Sequence, residues 1–185
     1  MDLPINPARP ALLIDVDGVI SLFPVHPNTC PPGTWVMVDG IIHLLSTEAA
    51  EHLRELGRRF DLVWCTGWEE KADEYIPRAL GLPRGLPHVC FGGERPEDEA
   101  HWKLGGIDRQ LGPERALAWI DDAHDEACAH WAQARHAPTL LLTTESTFGL
   151  TRAHADRLIA WADGLHHARA HAAAGTRRPP RRPNS

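Results

Sequence analysis

The stretch Ala11-Leu12-Leu13-Ile14-Asp15-Val16-Asp17-Gly18-Val19-Ile20 decides how the chain is read. Four apolar residues run into an Asp, a spacer, a second Asp and a Gly. An apolar run closed by polar residues and Gly reads as a buried parallel strand. Both carboxylates then stand where that strand leaves its sheet, the edge at which open α/β sheets bind ligands. Two adjacent acids repel each other unless positive charge lies between them. Oxygen donors suit Mg²⁺, so Asp15 and Asp17 form a candidate metal-assisted site.

Downstream, the same kind of run recurs. Asp61–Cys65, His88–Phe91, Ala116–Ile120 and Thr139–Thr143 read as further strands. Between them lie helical patterns: one from Ser46 or Thr47 to Gly57, then Glu69–Leu80, His101–Leu111, Ala123–Arg135 and Thr151–Leu165. Strands alternating with helices predict an α/β domain with a Rossmann-like parallel sheet of about five strands and helices on both faces. Trp35–Val38 and Ile41–Leu45 flank Asp39-Gly40, a strong hairpin signal, which places a small antiparallel flap at about 34–45 after the first strand. Ser21–Gly33, with Pro24, Pro27, Pro31 and Pro32, is expected to be irregular.

The chain of 185 residues is long enough for one domain with a proper core, here assigned to 11–165 after a lead-in over 1–10. No apolar run approaches the roughly 18 residues that span a membrane, and residues 1–10 lack the pattern of a secretory leader. A cytoplasmic protein with no membrane partner is therefore expected. Cys30, Cys65, Cys90 and Cys128 show no metal or redox spacing, and Cys65 and Cys90 are expected in the core. From His166 onward there are five arginines and no acid, so 166–185 is net positive, while the rest of the chain has 14 Lys and Arg against 25 Asp and Glu. An acidic body argues against broad electrostatic binding of nucleic acid. The Arg/Pro-rich tail is expected to be disordered.

Polar groups cluster at the predicted strand ends: Asp15 and Asp17, Thr66-Gly67, and Asp121 with Asp122, while Lys103 opens the helix after the third strand. Singly, each reads more readily as a cap, a turn or a solvated residue. Their joint placement at one edge of one sheet does not. Such a set suits attack on a phosphate monoester dianion, which needs a positioned nucleophile, a cation clamp and donors to the phosphoryl oxygens. Asp15 can attack as a carboxylate and split one hard step into two. Mg²⁺ held by Asp15, the backbone carbonyl of Asp17 and Asp122 offsets the repulsion. Lys103 and Thr66 can bind phosphoryl oxygens. Asp17 can protonate the leaving alkoxide and then activate water, worth roughly 10²–10⁴-fold.

These residues resemble the haloacid dehalogenase-like superfamily. Asp15-Val16-Asp17-Gly18-Val19 is similar to its first motif, Thr66 to the second, Lys103 to the third, and Ile120-Asp121-Asp122 to the fourth, in order from Ala11 to about Glu126. The resemblance implies a Mg²⁺-dependent phosphatase. In it Asp15 is nucleophile and metal ligand, Asp17 is acid/base, Thr66-Gly67 and Lys103 bind phosphate, and Asp122 is a metal ligand. Asp121 is a second ligand or a residue that orients one. More narrowly, the short hairpin, Trp64-Cys65-Thr66-Gly67-Trp68 and Gly149-Leu150-Thr151 resemble the small domains of this type in multi-module RNA-repair proteins.

The 28 residues between Asp17 and Ser46, and the 36 between Thr66 and Lys103, leave no room for a full cap domain. An uncapped site is open and suits phosphate on a large partner, such as a nucleotide or a polynucleotide end. Trp35, Trp68 and Trp102 could line its mouth and stack bases, or simply pack. Two other functions compete: a catalytically silent binding protein on the same fold, and a glycosyltransferase that clamps a metal-nucleotide through Asp15-Val16-Asp17. The last needs a nucleotide-binding half-domain ahead of the motif, and only about ten residues precede it here.

Overall fold

A computed structural model describes residues 9–25, 30–92 and 101–175. The strands are β1 (Ala11–Ile14), β2 (Ser21–Leu22), β3 (Gly33–Val38), β4 (Ile41–Ser46), β5 (Asp61–Trp64), β6 (Leu117–Asp121) and β7 (Thr139–Thr143). The helices are α1 (Thr47–Leu56), α2 (Glu70–Leu80), α3 (Leu104–Leu111), α4 (Glu126–Ala134) and α5 (Arg152–Gly175). One sheet is parallel, in the order β5-β1-β6-β7, and a second is antiparallel, in the order β2-β4-β3.

The run Ala11–Ile14 is an inner strand of the parallel sheet, and alternation explains why it is apolar throughout. Leu12 and Ile14 face α1, α2 and α5 through Leu53, Ile76 and Leu158. Ala11 and Leu13 face α3 and α4 through Ile107 and Cys128. Both faces of β1 are fully buried, as a strand covered by helices on two sides requires. Leu12 pairs with Leu62 on one side and Ala118 on the other, so the carboxyl ends of β1, β5 and β6 come level. Helix ends follow local chemistry: Ser46 Oγ accepts the Ala49 N–H at 3.1 Å, and Asp125 accepts the Cys128 N–H at 2.9 Å.

The expected fifth parallel strand at His88–Phe91 is reduced to one bridge, His88 to Trp64. Pro83, Gly85 and Pro87 leave too little extended chain. Beyond the bridge, side chains take the backbone groups: Gln110 Oε1 accepts the Cys90 N–H, and Glu69 Oε1 accepts the Phe91 N–H. Cys90 is exposed rather than in the core, whereas Cys65 and Cys128 are buried. Ser21-Leu22, expected to be irregular, adds β2 to the edge of β4.

The flap forms about Asp39 (φ 50°) and Gly40 (φ 82°), two positive φ values as a type I′ turn needs. Helix α4 starts three residues later than its pattern suggests, where Asp125 caps it. The last helix, expected to stop at Leu165, runs to Gly175. The Ala-rich segment after Leu165 has strong helix formers and no breaker before that Gly, which overrides the expected disorder of 166–175. Residues 1–8, the acidic loop 94–99 and the tail 176–185 lie outside the described residues. Among the described residues, no helix is long and apolar enough to cross a membrane.

Candidate functional site

At the carboxyl edge of the parallel sheet, β1 delivers Asp15, β6 ends in Asp121 with Asp122 after it, and the turn before α3 supplies Lys103. Asp15, Asp121 and Lys103 are all buried. Lys103 Nζ sits 2.8 Å from Asp15 Oδ2 and 2.6 Å from Asp121 Oδ2. Trp119 donates its indole N–H to the same Asp121 oxygen at 3.0 Å, and the Ala123 N–H goes to Asp121 Oδ1 at 3.0 Å. Asp121 is thereby fixed as the group that aims Lys103. Asp122 accepts from Ser146 Oγ at 2.7 Å through Oδ2. Among the described residues its other oxygen has no hydrogen-bond partner.

One carboxylate oxygen from each of Asp15, Asp121 and Asp122 lies within 4.8 Å of the other two. Three acids therefore face one ammonium group. His101 and His124 do not make up the difference. Burial lowers His101, whose Nδ1 accepts the Lys103 N–H, and burial takes His124 down to about 4. Burial raises Asp15 to about 7 against the pull of Lys103, and Asp121 pushes the same way. For Lys103, burial works against the charge, but Asp15, Cys65 and Asp121 outweigh it and hold the ammonium above its usual range. Within this pair the proton stays on Lys103, and Asp15 is the group that strains. A cation with oxygen ligands would relieve that strain, and the hard donor set fits one.

Asp17 stands apart. Its carboxylate is outside the three-acid cluster, with Oδ2 accepting the Trp68 indole N–H at 2.9 Å and Oδ1 3.7 Å from His43 Nδ1. Thr66 is buried beyond the end of β5, and its Oγ1 accepts the Trp68 N–H at 3.3 Å, which leaves the hydroxyl proton to donate. Gly67 is exposed between Trp68 and Trp102, and a Cβ there would meet the Trp102 ring at 3.7 Å. Trp102 also lies against Lys103, whose Nζ is 5.3 Å from the ring centre. Trp35 does not join this mouth: it pairs with Leu44, on the face of the flap opposite to Val36 and His43.

Sequence reasoning missed His43, Ser146 and Thr144. Thr144 donates its hydroxyl to the Gly18 carbonyl at 2.8 Å and so pins the turn after Asp17. At Gly18 (φ +70°) a Cβ would lie 2.0 Å from Asp122 Oδ2. Close approach and left-handed backbone both demand glycine there. Gly18→Ala is expected to cost about 1–3 kcal/mol and to push Asp122 off its position. Urea unfolding measures the first effect and cation titration the second; an unchanged midpoint and affinity would refute it.

Fold and site together define an α/β protein with a carboxylate–lysine cluster at the carboxyl edge of its parallel sheet. No protein-family model matches the chain, and no curated protein matches it.

Proposed function

We propose that the protein is a Mg²⁺-dependent phosphohydrolase of the haloacid dehalogenase-like kind, acting on a phosphate monoester through an aspartyl-phosphate. One observation carries this reading: Asp15, Lys103, Asp121 and Asp122 meet in one buried cluster, with Asp17 beside it but held separately. A purely structural ion pair needs one acid per base, and this cluster has an excess of acids.

In this reading the carboxylates of Asp15 and Asp122 and the backbone carbonyl of Asp17 would hold the ion, while Asp121 is committed to Lys103, Trp119 and Ala123. Bound there, Mg²⁺ supplies positive charge against which a phosphate dianion can approach two carboxylates. Asp15 attacks phosphorus, and the bond from phosphorus to the alcohol oxygen breaks. Asp17 gives its proton to that oxygen. Water then attacks the phosphoryl group and passes a proton to Asp17, while the bond to Asp15 breaks and the nucleophile is restored. Lys103 and the Thr66 hydroxyl hold phosphoryl oxygens throughout.

Gly67 is exposed beside Trp68 and close to Trp102, which supports a substrate with a base to stack, and a nucleotide or polynucleotide end is the one we favour. The test is turnover of a panel of phosphate esters with Mg²⁺, including 3′- and 5′-phosphorylated oligonucleotides. No turnover of any member would sink the reading and leave a binding protein.

Metal binding carries a separate expectation. Because Asp15 sits near 7, a cation must displace its proton below that pH. Mg²⁺ affinity is expected to fall up to about tenfold per pH unit below 7. Calorimetry in buffers of different ionisation enthalpy should show close to one proton released per ion at pH 6 and almost none at pH 8. Release that does not change with pH would contradict it.

A further inference from the structure

The flap carries a polar side chain where its pattern calls for an apolar one. In β4, Ile41 and Ile42 are both 62% exposed, while His43 faces inward and is 14% exposed. His43 pairs across the hairpin with Val36, whose side chain packs against the core. A strand residue on that face is normally there to fill space. Here the ring is held at two points instead. Its Nδ1 lies 2.9 Å from Ser21 Oγ on the neighbouring β2, and its edge packs against Trp68 with ring centres 4.7 Å apart. The same Nδ1 is 3.7 Å from Asp17 Oδ1, while Trp68 donates to Asp17 Oδ2.

Asp17 needs such support. Its side chain is 45% exposed, and it follows β1 on a loop rather than within the sheet. A carboxyl in that setting samples several rotamers, and proton transfer to a leaving oxygen demands one. Trp68, from the turn before α2, hydrogen-bonds one of its oxygens, and His43, from the flap, packs on that indole and brings Nδ1, already bonded to Ser21 Oγ, to 3.7 Å from the other. The flap is itself tied to α2 by the ion pair of Asp39, at the hairpin turn, with Lys71. It is therefore anchored at its tip, and His43 sits between that anchor and the β2 edge.

We propose that His43 is a positioning residue, which together with Trp68 holds the carboxyl of Asp17 in the orientation for proton transfer, so that the flap is part of the acid/base apparatus. This rests on the phosphohydrolase reading, with Asp17 as the acid. The flap then takes part in the chemistry. It sets how well the enzyme expels a poor leaving group.

Leaving-group dependence tests it. The value of kcat/KM covers events up to departure of the alcohol. An alkyl phosphate needs Asp17 to protonate its leaving oxygen, whereas p-nitrophenolate leaves unaided. His43→Phe and Trp68→Phe keep the ring packing and lose the polar contact. Each is expected to lower kcat/KM for an alkyl phosphate roughly tenfold, and that for p-nitrophenyl phosphate less than twofold. His43→Asn, whose amide can reach the position of Nδ1, is expected to restore most of the loss. The ratio of the two esters is insensitive to the fraction of protein folded, so an unstable variant still reports. Equal losses on both esters, or no loss on either, would overturn the role of His43. Failure of the wild type to cleave either ester would overturn the phosphohydrolase reading, and this proposal with it.

Discussion

Replacing Asp15 by Asn is expected to lower hydrolysis of any phosphate ester at least about 10³-fold while the protein stays folded. An amide has nearly the shape of the carboxyl but is far too weak a nucleophile to attack phosphorus. The fold survives because burial already disfavours charge on Asp15, so removing that charge takes away repulsion from Asp121 as well as attraction to Lys103. Lys103 keeps Asp121 at 2.6 Å as a full partner. The Val16 N–H, which reaches Asp15 Oδ1 at 2.7 Å, can still be met by the amide oxygen. Thermal unfolding of the variant should stay within a few degrees of wild type, and Mg²⁺ affinity should drop because one carboxylate ligand is gone. Retained turnover would end the aspartyl-phosphate mechanism, whatever the metal does.

That the sequence pointed to this residue has a physical reason. Asp15 follows a strand buried on both faces, and such strands are continuous apolar runs that stand out without any partner. β1, β5 and β6 are legible for that cause; β7, a partly buried edge strand, is legible from the run Leu140–Leu142 between two threonines, and the flap because Asp39-Gly40 dictates its own turn. Asp121, Asp122 and Thr66 were found as strand ends. What remained hidden depends on which elements meet. The run at His88–Phe91 has strand composition, yet Gln110 and Glu69 capture its backbone groups from distant points in the chain. His43 looked like one polar residue in an apolar hairpin. Its meaning appears only when β4 is placed over the turn before α2 and the ring meets Asp17. Period-two alternation puts His43 on the same face as Val36, and that was the one signal available. The split between Asp121 and Asp122 was likewise invisible, since adjacent acids of one type differ only in their partners: Lys103 and Trp119 for the first, Ser146 for the second.

Lys103→Met is expected to damage stability and activity together, unlike Asp15→Asn. Methionine keeps the apolar stem in its place beside Trp102 but removes the ammonium. Asp15 and Asp121 then face each other in a buried site with no countercharge, since the side chains of all three residues are at least nine-tenths buried. Breaking a buried ion pair from one side costs about 3–5 kcal/mol, and at roughly 2–4 °C per kcal/mol for a chain of this size the midpoint should fall by roughly 6–20 °C. Loss of a cation on the phosphoryl oxygens removes a further roughly 10²–10³-fold in kcat.

The pH dependence of this variant has a definite sign. Without Lys103, burial raises the folded pKa of Asp15 further above its unfolded value. A carboxyl raised in this way contributes stability that is complete below its unfolded pKa and is lost as pH climbs through the folded one. The deficit of Lys103→Met against wild type should therefore be smaller at pH 5 than at pH 8. Mg²⁺ should narrow it at pH 8, because a divalent ion held by Asp15 and Asp122 supplies the missing positive charge. A deficit independent of both pH and Mg²⁺ would mean that Lys103 stabilises the fold through packing of its stem alone, and that the three carboxylates do not form an electrostatic unit.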